Sequence, residues 1–352
     1  MKRFGIVMML FCLGLSFLVL VSTPSLSQQK SSGQEEGQTS RQAAGSKERI
    51  SLSYVTNAVG SGLFTISVGQ AQVISRKTNI DLKAQPTAGA LVPPRIVFAK
   101  EALLGITSAK ILGDAYAGTG EYSGKKHTTI RALQAGQVTL FGIVANESAG
   151  IKTIPDLKGK RVTWNILTSD IARNVAFLEM KAYGIDGFKD VKMLKAESTS
   201  KGIQDLALGR TDAVGCSLGG AKLEELATSS AKAIALPFDS ARIDVIQWEM
   251  PAVFSAVSKK AGPIPAGIPV VGTPEVFFAH RELDEEIAYR LVKVLLESQE
   301  ELKLIHRDFA QWTEHNAVRK LPVPYHPGAI RYYKERGIWS PQLDQLQTEL
   351  LK

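Results

Sequence analysis

Arg161-Val162-Thr163-Trp164, followed by Asn165-Ile166-Leu167-Thr168-Ser169 and the residues leading to Gly184, reads as a strand, a polar loop and a helix in direct succession. Within the helical part, Ile171, Val175, Leu178 and Ala182 recur on one face at helical spacing. Gly184 supplies the stop. The same grammar continues downstream. Residues 191–194 read as a strand, 201–208 as a short helix with Ile203, Leu206 and Ala207 inward, and 213–216 as a third strand; 221–227 and 233–236 complete the alternation. Short β-rich runs alternating with helical patterns predict a parallel sheet with crossover helices, so this segment is one α/β lobe.

The chain before it repeats the pattern less cleanly. Residues 50–55 read as a strand, Gly60-Ser61-Gly62 as a turn, 63–75 as a helix, and 80–85 as a strand leading into Pro86-Thr87-Ala88-Gly89. A third strand is expected over 103–106, a long Gly-rich loop over 113–126, and further strands over 128–133 and 138–144. Late in the chain, 276–279 reads as a strand. An amphipathic helix follows with Leu283, Ile287, Leu291 and Val294 on one face, and Asp284, Glu285 and Glu286 suit the positive end of its dipole. These late elements need a sheet to pack on. Returning them to the first lobe gives an α/β clamshell with two crossings: 50–144 plus 270–352 form lobe 1, and 145–269 form lobe 2.

Outside the clamshell, Lys2 and Arg3 precede an apolar run from Phe4 to Val21, and Ser25-Leu26-Ser27 offers small residues for cleavage after Ser27. Residues 1–27 are therefore expected to be a signal peptide of an exported, periplasmic protein; the alternative is a retained anchor, since the run reaches the lower limit of a spanning helix. Cys12 has no lipidation box before it. Residues 28–49 are Gln, Ser, Gly, Glu, Lys and Arg with little apolar surface, which predicts a flexible tether. The net charge of +8 is spread among acidic residues and reads mainly as a solvated surface, with long-range attraction of anionic ligands as the second reading. Without a basic run with interleaved aromatics, nucleic acid is not expected. After cleavage only Cys216 remains, so no intrachain disulfide can form.

In an open α/β sheet, ligands bind beyond the carboxyl ends of the strands, where helix N-termini point donors at anions. Those positions carry Asn57 and Ser61, Thr87, Thr107 and Ser108, then Asn165, Thr168 and Ser169, with Ser198 and Ser217. They are neutral hydrogen-bonders without an evident nucleophile and base. A cleft lined by them suits a carboxylate or polar small molecule, although Ser and Thr at such places also cap helices.

Other chemistry finds little support. The histidines at 127, 280, 306, 315 and 326 lack metal-ligand spacing. Gly118 to Lys125 lacks the glycine gap of a phosphate loop, and Lys126 stands where a Ser or Thr is needed. Cys216 is either a nucleophile or a buried small hydrophobe. Trp164 and Trp248 either stack on a ligand or fill the core, and Trp164 is the better cleft candidate because its strand ends there. No cofactor is expected.

Ile151-Lys152-Thr153-Ile154-Pro155-Asp156-Leu157-Lys158-Gly159-Lys160-Arg161-Val162 resembles the segment where certain binding proteins enter their second lobe. Gly209-Arg210-Thr211-Asp212-Ala213, Ile264-Pro265-Ala266-Gly267, and His326-Pro327-Gly328-Ala329-Ile330-Arg331-Tyr332-Tyr333-Lys334-Glu335-Arg336-Gly337-Ile338 add to this. Together they resemble the TAXI family, the solute receptors of tripartite ATP-independent periplasmic (TRAP) transporters. The resemblance implies a periplasmic-binding-protein-like type II clamshell, a small organic anion such as glutamate or a dicarboxylate as ligand, and TRAP permease subunits as partners. Four departures fall near the cleft. Gly60-Ser61-Gly62-Leu63-Phe64 stands where a Gly-Thr-Tyr-Tyr turn is usual, and Pro86-Thr87-Ala88-Gly89-Ala90 lacks the usual Ser and Asn. Leu103 replaces a common Asp, and Asn165 to Ser169 replaces a glycine-serine loop. The function expected is a periplasmic receptor that delivers its solute to a permease. A sensor presenting the closed clamshell to a membrane signalling protein and an exported enzyme are the alternatives; a neighbouring permease or kinase gene separates the first two, and turnover of a bound compound would reveal the third.

Overall fold

The computed structural model describes residues 48–352 apart from 60, 168, 220 and 229–231. The expected signal peptide, Cys12, most of the tether, Gly60 and Thr168 lie outside the described residues. In chain order the elements are β1 (Ile50–Thr56), α1 (Gly62–Lys77), β2 (Ile80–Pro86), α2 (Pro93–Phe98), β3 (Leu104–Ser108), α3 (Ala109–Ala117), β4 (Ile130–Asn146), β5 (Arg161–Ile166), α4 (Asp170–Ala182), β6 (Lys192–Ala196), α5 (Thr199–Ala207), β7 (Ala213–Ser217), α6 (Ala221–Leu226), β8 (Ala233–Ala235), α7 (Ile243–Glu249), β9 (Phe254–Val257), β10 (Pro269–His280), α8 (Glu285–Glu297), α9 (Gln299–Ile305), α10 (Glu314–Ala317), α11 (Pro327–Glu335) and α12 (Pro341–Leu350).

The strands lie in the order β2-β1-β3-β10-β4-β7-β5-β6, with β8 on β4 and β9 on β10. Both wings are parallel, β2-β1-β3 on one side and β7-β5-β6 on the other, as crossover helices require. The middle is antiparallel, because β10 runs against both β3 and β4, and β4 runs against β7. Two long strands therefore carry the chain between wings. In β4, residues from Ile130 to Phe141 pair with β10, while Phe141 to Ala145 pair with β7. In β10, Glu275 to Ala279 pair with β3, while Pro269 to Gly272 pair with β9. The result is an α/β clamshell of two lobes joined by two crossings.

Local chemistry accounts for the elements that position the site. Helix α1 starts at Ser61, whose hydroxyl accepts from the Phe64 amide, and buries Leu63, Ile66, Val73 and Ile74 against the sheet. Gln70 on its inner face accepts the Tyr54 hydroxyl at 2.6 Å, so neither polar group is left unpaired in the core. Helix α4 buries the expected Ile171, Val175, Leu178 and Ala182. Two recurrent segments meet where β5 begins, as the Arg161 guanidinium pairs with Asp212 at 2.6 Å and the Arg161 amide donates to the same carboxylate. The tail motif has a packing reason. A Cβ at Gly328 would fall 2.2 Å from the Glu285 carbonyl oxygen, so only glycine lets α11 lie on the first turn of α8.

Three sequence expectations need correction. The strands expected over 128–133 and 138–144 are one strand, β4, held through Ala135-Gly136-Gln137 by pairing on β10. The first part of the loop expected over 113–126 is helical: Ser108 caps α3 and Gly118, at φ 71°, ends it. On α8, Leu291 is buried as expected, but the inward face is Ala288, Leu291, Val292, Leu295 and Leu296, leaving Ile287 and Val294 half-buried.

Candidate functional site

Where the two wings meet, four neighbouring strands form the floor of a cavity of about 610 Å³. Ser108 of β3 faces Glu275 of β10 in register, and Phe141 of β4 faces Ser217 of β7. All four line the cavity, with Thr139 and Gln137 of β4 beside them. Thr139 donates its hydroxyl to Glu275 Oε1 at 2.6 Å.

The walls are helix starts. Ser61, Ser108 and Ser169 are the N-caps of α1, α3 and α4, and their hydroxyls accept from the amides of Phe64, Ile111 and Ala172 at 3.2, 3.3 and 3.4 Å. All three serines line the cavity. The first amides of a helix have no intrahelical acceptor and the dipole is positive at that end, so three such ends at one cavity favour an anionic group. Arg95 of α2 adds a full positive charge to the lining, held by a bond from Nη2 to the Glu121 carbonyl at 3.2 Å and by the Tyr122 ring beneath it. Asp170 also lines the cavity, but its charge is matched by Lys110 at 3.2 Å.

A bulge sets the floor. Pro274 pairs with Val138 while Val276 pairs with Ala135, so Gly136 and Gln137 together oppose Glu275. Pro274 has no amide hydrogen to give the ladder, which makes the interruption natural there. Trp312 lies on Gly136: a Cβ at that glycine would fall 2.2 Å from the indole. The indole N–H also donates to Gln137 Oε1 at 3.4 Å. Bulges re-aim side chains beside functional sites, and this one turns Glu275 toward the cavity. Glu275 is 6% exposed, and burial raises its pKa to about 7 even though the Thr139 hydroxyl opposes the shift. Its Oε2 is buried without a hydrogen-bond partner among the described residues.

A second cavity of about 590 Å³ shares Gly62, Gln137, Thr139 and Ser217 with the first. Lys259, Lys260 and Arg307 line it together with Asp308.

Of the residues expected at the site, Asn57, Ser61, Ser108, Ser169 and Ser217 line the first cavity. Thr87 and Thr107 stand behind it. Thr87 donates to the Thr56 carbonyl at 2.7 Å and Thr107 to the Ala90 carbonyl at 2.8 Å, fixing the loop whose residues Ala88 to Val92 form one wall. Asn165 is half-buried, pairs with Lys195 and is not among the lining residues. Trp164 is a core residue instead of a cleft residue: its Nε1 donates to the Gly187 carbonyl at 3.0 Å, and its ring packs on Phe177 and Phe188. Trp248 neither stacks in this cavity nor fills the core, being 88% exposed. Ser198 caps α5. Cys216 is buried, and its thiol is pushed up to about 12 by burial and by Glu179, which keeps it protonated and unreactive. Sequence reasoning missed Arg95, Gln137, Thr139, Asp170 and Glu275. For Glu275 a signal existed: Pro274-Glu275 interrupts an otherwise apolar strand.

The fold is that of a periplasmic-binding-protein clamshell. Similar solved structures include PhnD1 from Prochlorococcus marinus in complex with methylphosphonate, at 12% identity over 82% of this chain and 99% of that one, with a TM-score of 0.50. The periplasmic aliphatic sulphonate binding protein SsuA from Escherichia coli matches at 13% identity over 86% and 84%, TM-score 0.49. The probable amino-acid ABC transporter extracellular-binding protein ytmK from Bacillus subtilis matches at 13% identity over 73% and 96%, TM-score 0.47. A model of the NMT1-like family matches residues 55–337, and the chain belongs to that family.

Proposed function

We propose that this chain is an extracytoplasmic solute-binding receptor that captures a small organic anion, a carboxylate or amino-acid-like compound, and delivers it to a TRAP-type membrane permease. The observation that carries this is the convergence of three helix N-termini, from both sides of the two long strands, on one cavity with Arg95 in its wall. Such a cavity binds by fixed dipoles and hydrogen bonds and needs no covalent step.

Lobe 1 is 50–144 with 270–352 and lobe 2 is 145–269, and they close about β4 and β10. The strands change partners at Phe141 in β4 and between Gly272 and Glu275 in β10, which supports a bend there, close to the crossings expected near Val144 and Val270. Closure of this hinge type buries the ligand between the helix starts. The export pattern in residues 1–27 supports a periplasmic site of action, and among the described residues no helix is long and apolar enough to cross a membrane. Delivery to a TRAP permease rests on the tail motif from His326 to Ile338.

Thermal unfolding of protein beginning at Gln28 against amino acids, mono- and dicarboxylates and aromatic acids tests the receptor reading. A ligand at a hundred times its dissociation constant adds ~2.7 kcal/mol and visibly raises the midpoint; no shift with any anion would overturn it. For delivery, uptake of the identified solute must vanish when the TRAP permease genes are deleted. Uptake that instead depends on an ABC ATPase would reassign the partner.

A further inference from the structure

We propose that Glu275 is the specificity-determining residue of the cleft, a subsite for a protonated nitrogen, so that the solute carries an amine set apart from its acid group and is not a plain carboxylate. This deepens the receptor reading and rests on it.

Glu275 is out of place in a cavity built only for anions. Three helix N-termini and Arg95 make that cavity positive, yet an acidic side chain lines its floor, in register with the α3 cap Ser108. A carboxylate has about four acceptor sites. Here Oε1 receives one bond, from Thr139, and Oε2 receives none among the described residues. The nearby basic groups are already engaged: Lys110 is held by Asp114 and Asp170 at 2.5 and 3.2 Å, and Arg95 by the Glu121 carbonyl and the Tyr122 ring. No ion pair reaches Glu275 among the described residues. A buried acid with an open acceptor is costly unless a donor arrives, and the local fold is arranged to keep it there. The Gly136-Gln137 bulge lies directly opposite it, with the Trp312 indole packed on Gly136.

An ammonium group answers both deficits at once, supplying charge and up to three donors to Glu275. Its acid partner on the same solute would then lie toward Ser61, Ser108, Ser169 and Arg95. The competing possibility is that Glu275 stays protonated and donates to an acid oxygen, in which case the nitrogen is irrelevant.

Isothermal titration with matched pairs separates these: L-glutamate and glutarate, L-aspartate and succinate, L-leucine and 4-methylpentanoate, L-phenylalanine and 3-phenylpropanoate. In the wild-type protein the amino member of whichever pair binds should be tighter by at least about tenfold, and Glu275→Gln should abolish or invert that preference. The variant is isosteric, and its circular dichroism checks the fold. Equal or tighter binding of the nitrogen-free member to wild type overturns the proposal without any variant. So does a Glu275→Gln protein that keeps the amino preference. If nitrogen-free acids bind, the receptor reading stands while this inference falls; if no member of any pair binds, both fall for these solutes.

Discussion

Lys110 and Asp170 meet across the cleft: Lys110 Nζ, on the helix that follows β3, lies 3.2 Å from Asp170 Oδ2, on the helix that follows β5. Both side chains are more than nine-tenths buried. Burial acts to lower the Lys110 pKa, but Asp170 and Asp114 outweigh it and hold the amine above its ordinary range, so it is charged at any physiological pH. The pair ties the two wings of the sheet together beside the cavity.

Removing one partner of such a pair leaves a buried charge uncompensated, at ~3 kcal/mol. Lys110→Met should therefore lower unfolding stability by about that amount, and Lys110→Met combined with Asp170→Asn by less than the two single losses added. A double-mutant cycle from urea unfolding measures the coupling, expected at ~1–3 kcal/mol. Strict additivity would show that the two side chains do not meet in solution.

Gly136 tests the floor. Its Cβ position is occupied by the Trp312 indole at 2.2 Å, so Gly136→Ala must push the ring or the strand aside. Overpacking of this kind costs ~1–3 kcal/mol, and solute affinity should drop as well because Gln137 and Glu275 move with the bulge. Gly142→Ala, on the same strand, is the control, since its Cβ would meet Leu218 at an ordinary 3.5 Å and should change the urea midpoint little.

Much of the clamshell is legible in sequence because its wings are repeated strand–helix units whose periodicity is local. The β5–α4 unit shows this, with the apolar face of α4 read correctly from spacing alone. The middle of the sheet was harder. Ala135-Gly136-Gln137 reads as a break, and only pairing with β10 keeps β4 continuous. The same limit governs the site. Ser61, Ser108 and Ser169 were visible because a helix cap and an anion site call for the same residue type at the same place. Thr139 and Glu275 come together through register and a bulge, neither of which is a property of any short window. Trp164 ends a strand in a local reading of the sequence, whereas β5 runs on to Ile166 and Gly187 with two phenylalanines covers the indole.

Cys216 should be silent in the folded protein. Burial, and then the neighbouring Glu179, push its thiol up to about 12, so the thiolate that attacks a disulfide reagent is scarce and covered. In protein beginning at Gln28, labelling by an aromatic disulfide is expected to follow the unfolding rate, reaching one thiol per chain only in denaturant. Fast stoichiometric labelling without denaturant would contradict this burial.

Stability against pH should carry the mark of Glu275. Its folded pKa lies near 7 against an ordinary 4.5, with burial as the cause. A raised carboxyl pKa means that the folded state holds its proton more tightly than the unfolded chain. The resulting stability is complete below 4.5 and is lost as pH rises through about 7. The full effect is roughly 3 kcal/mol. Glu179, buried with both oxygens unpaired among the described residues, has its pKa raised in the same direction by burial and adds to the fall. Glu275→Gln should remove its share, so the variant gains on wild type as pH rises through this window. Urea midpoints measured along that range give the slope directly, and parallel curves for the two proteins would mean that Glu275 is solvated and paired in solution.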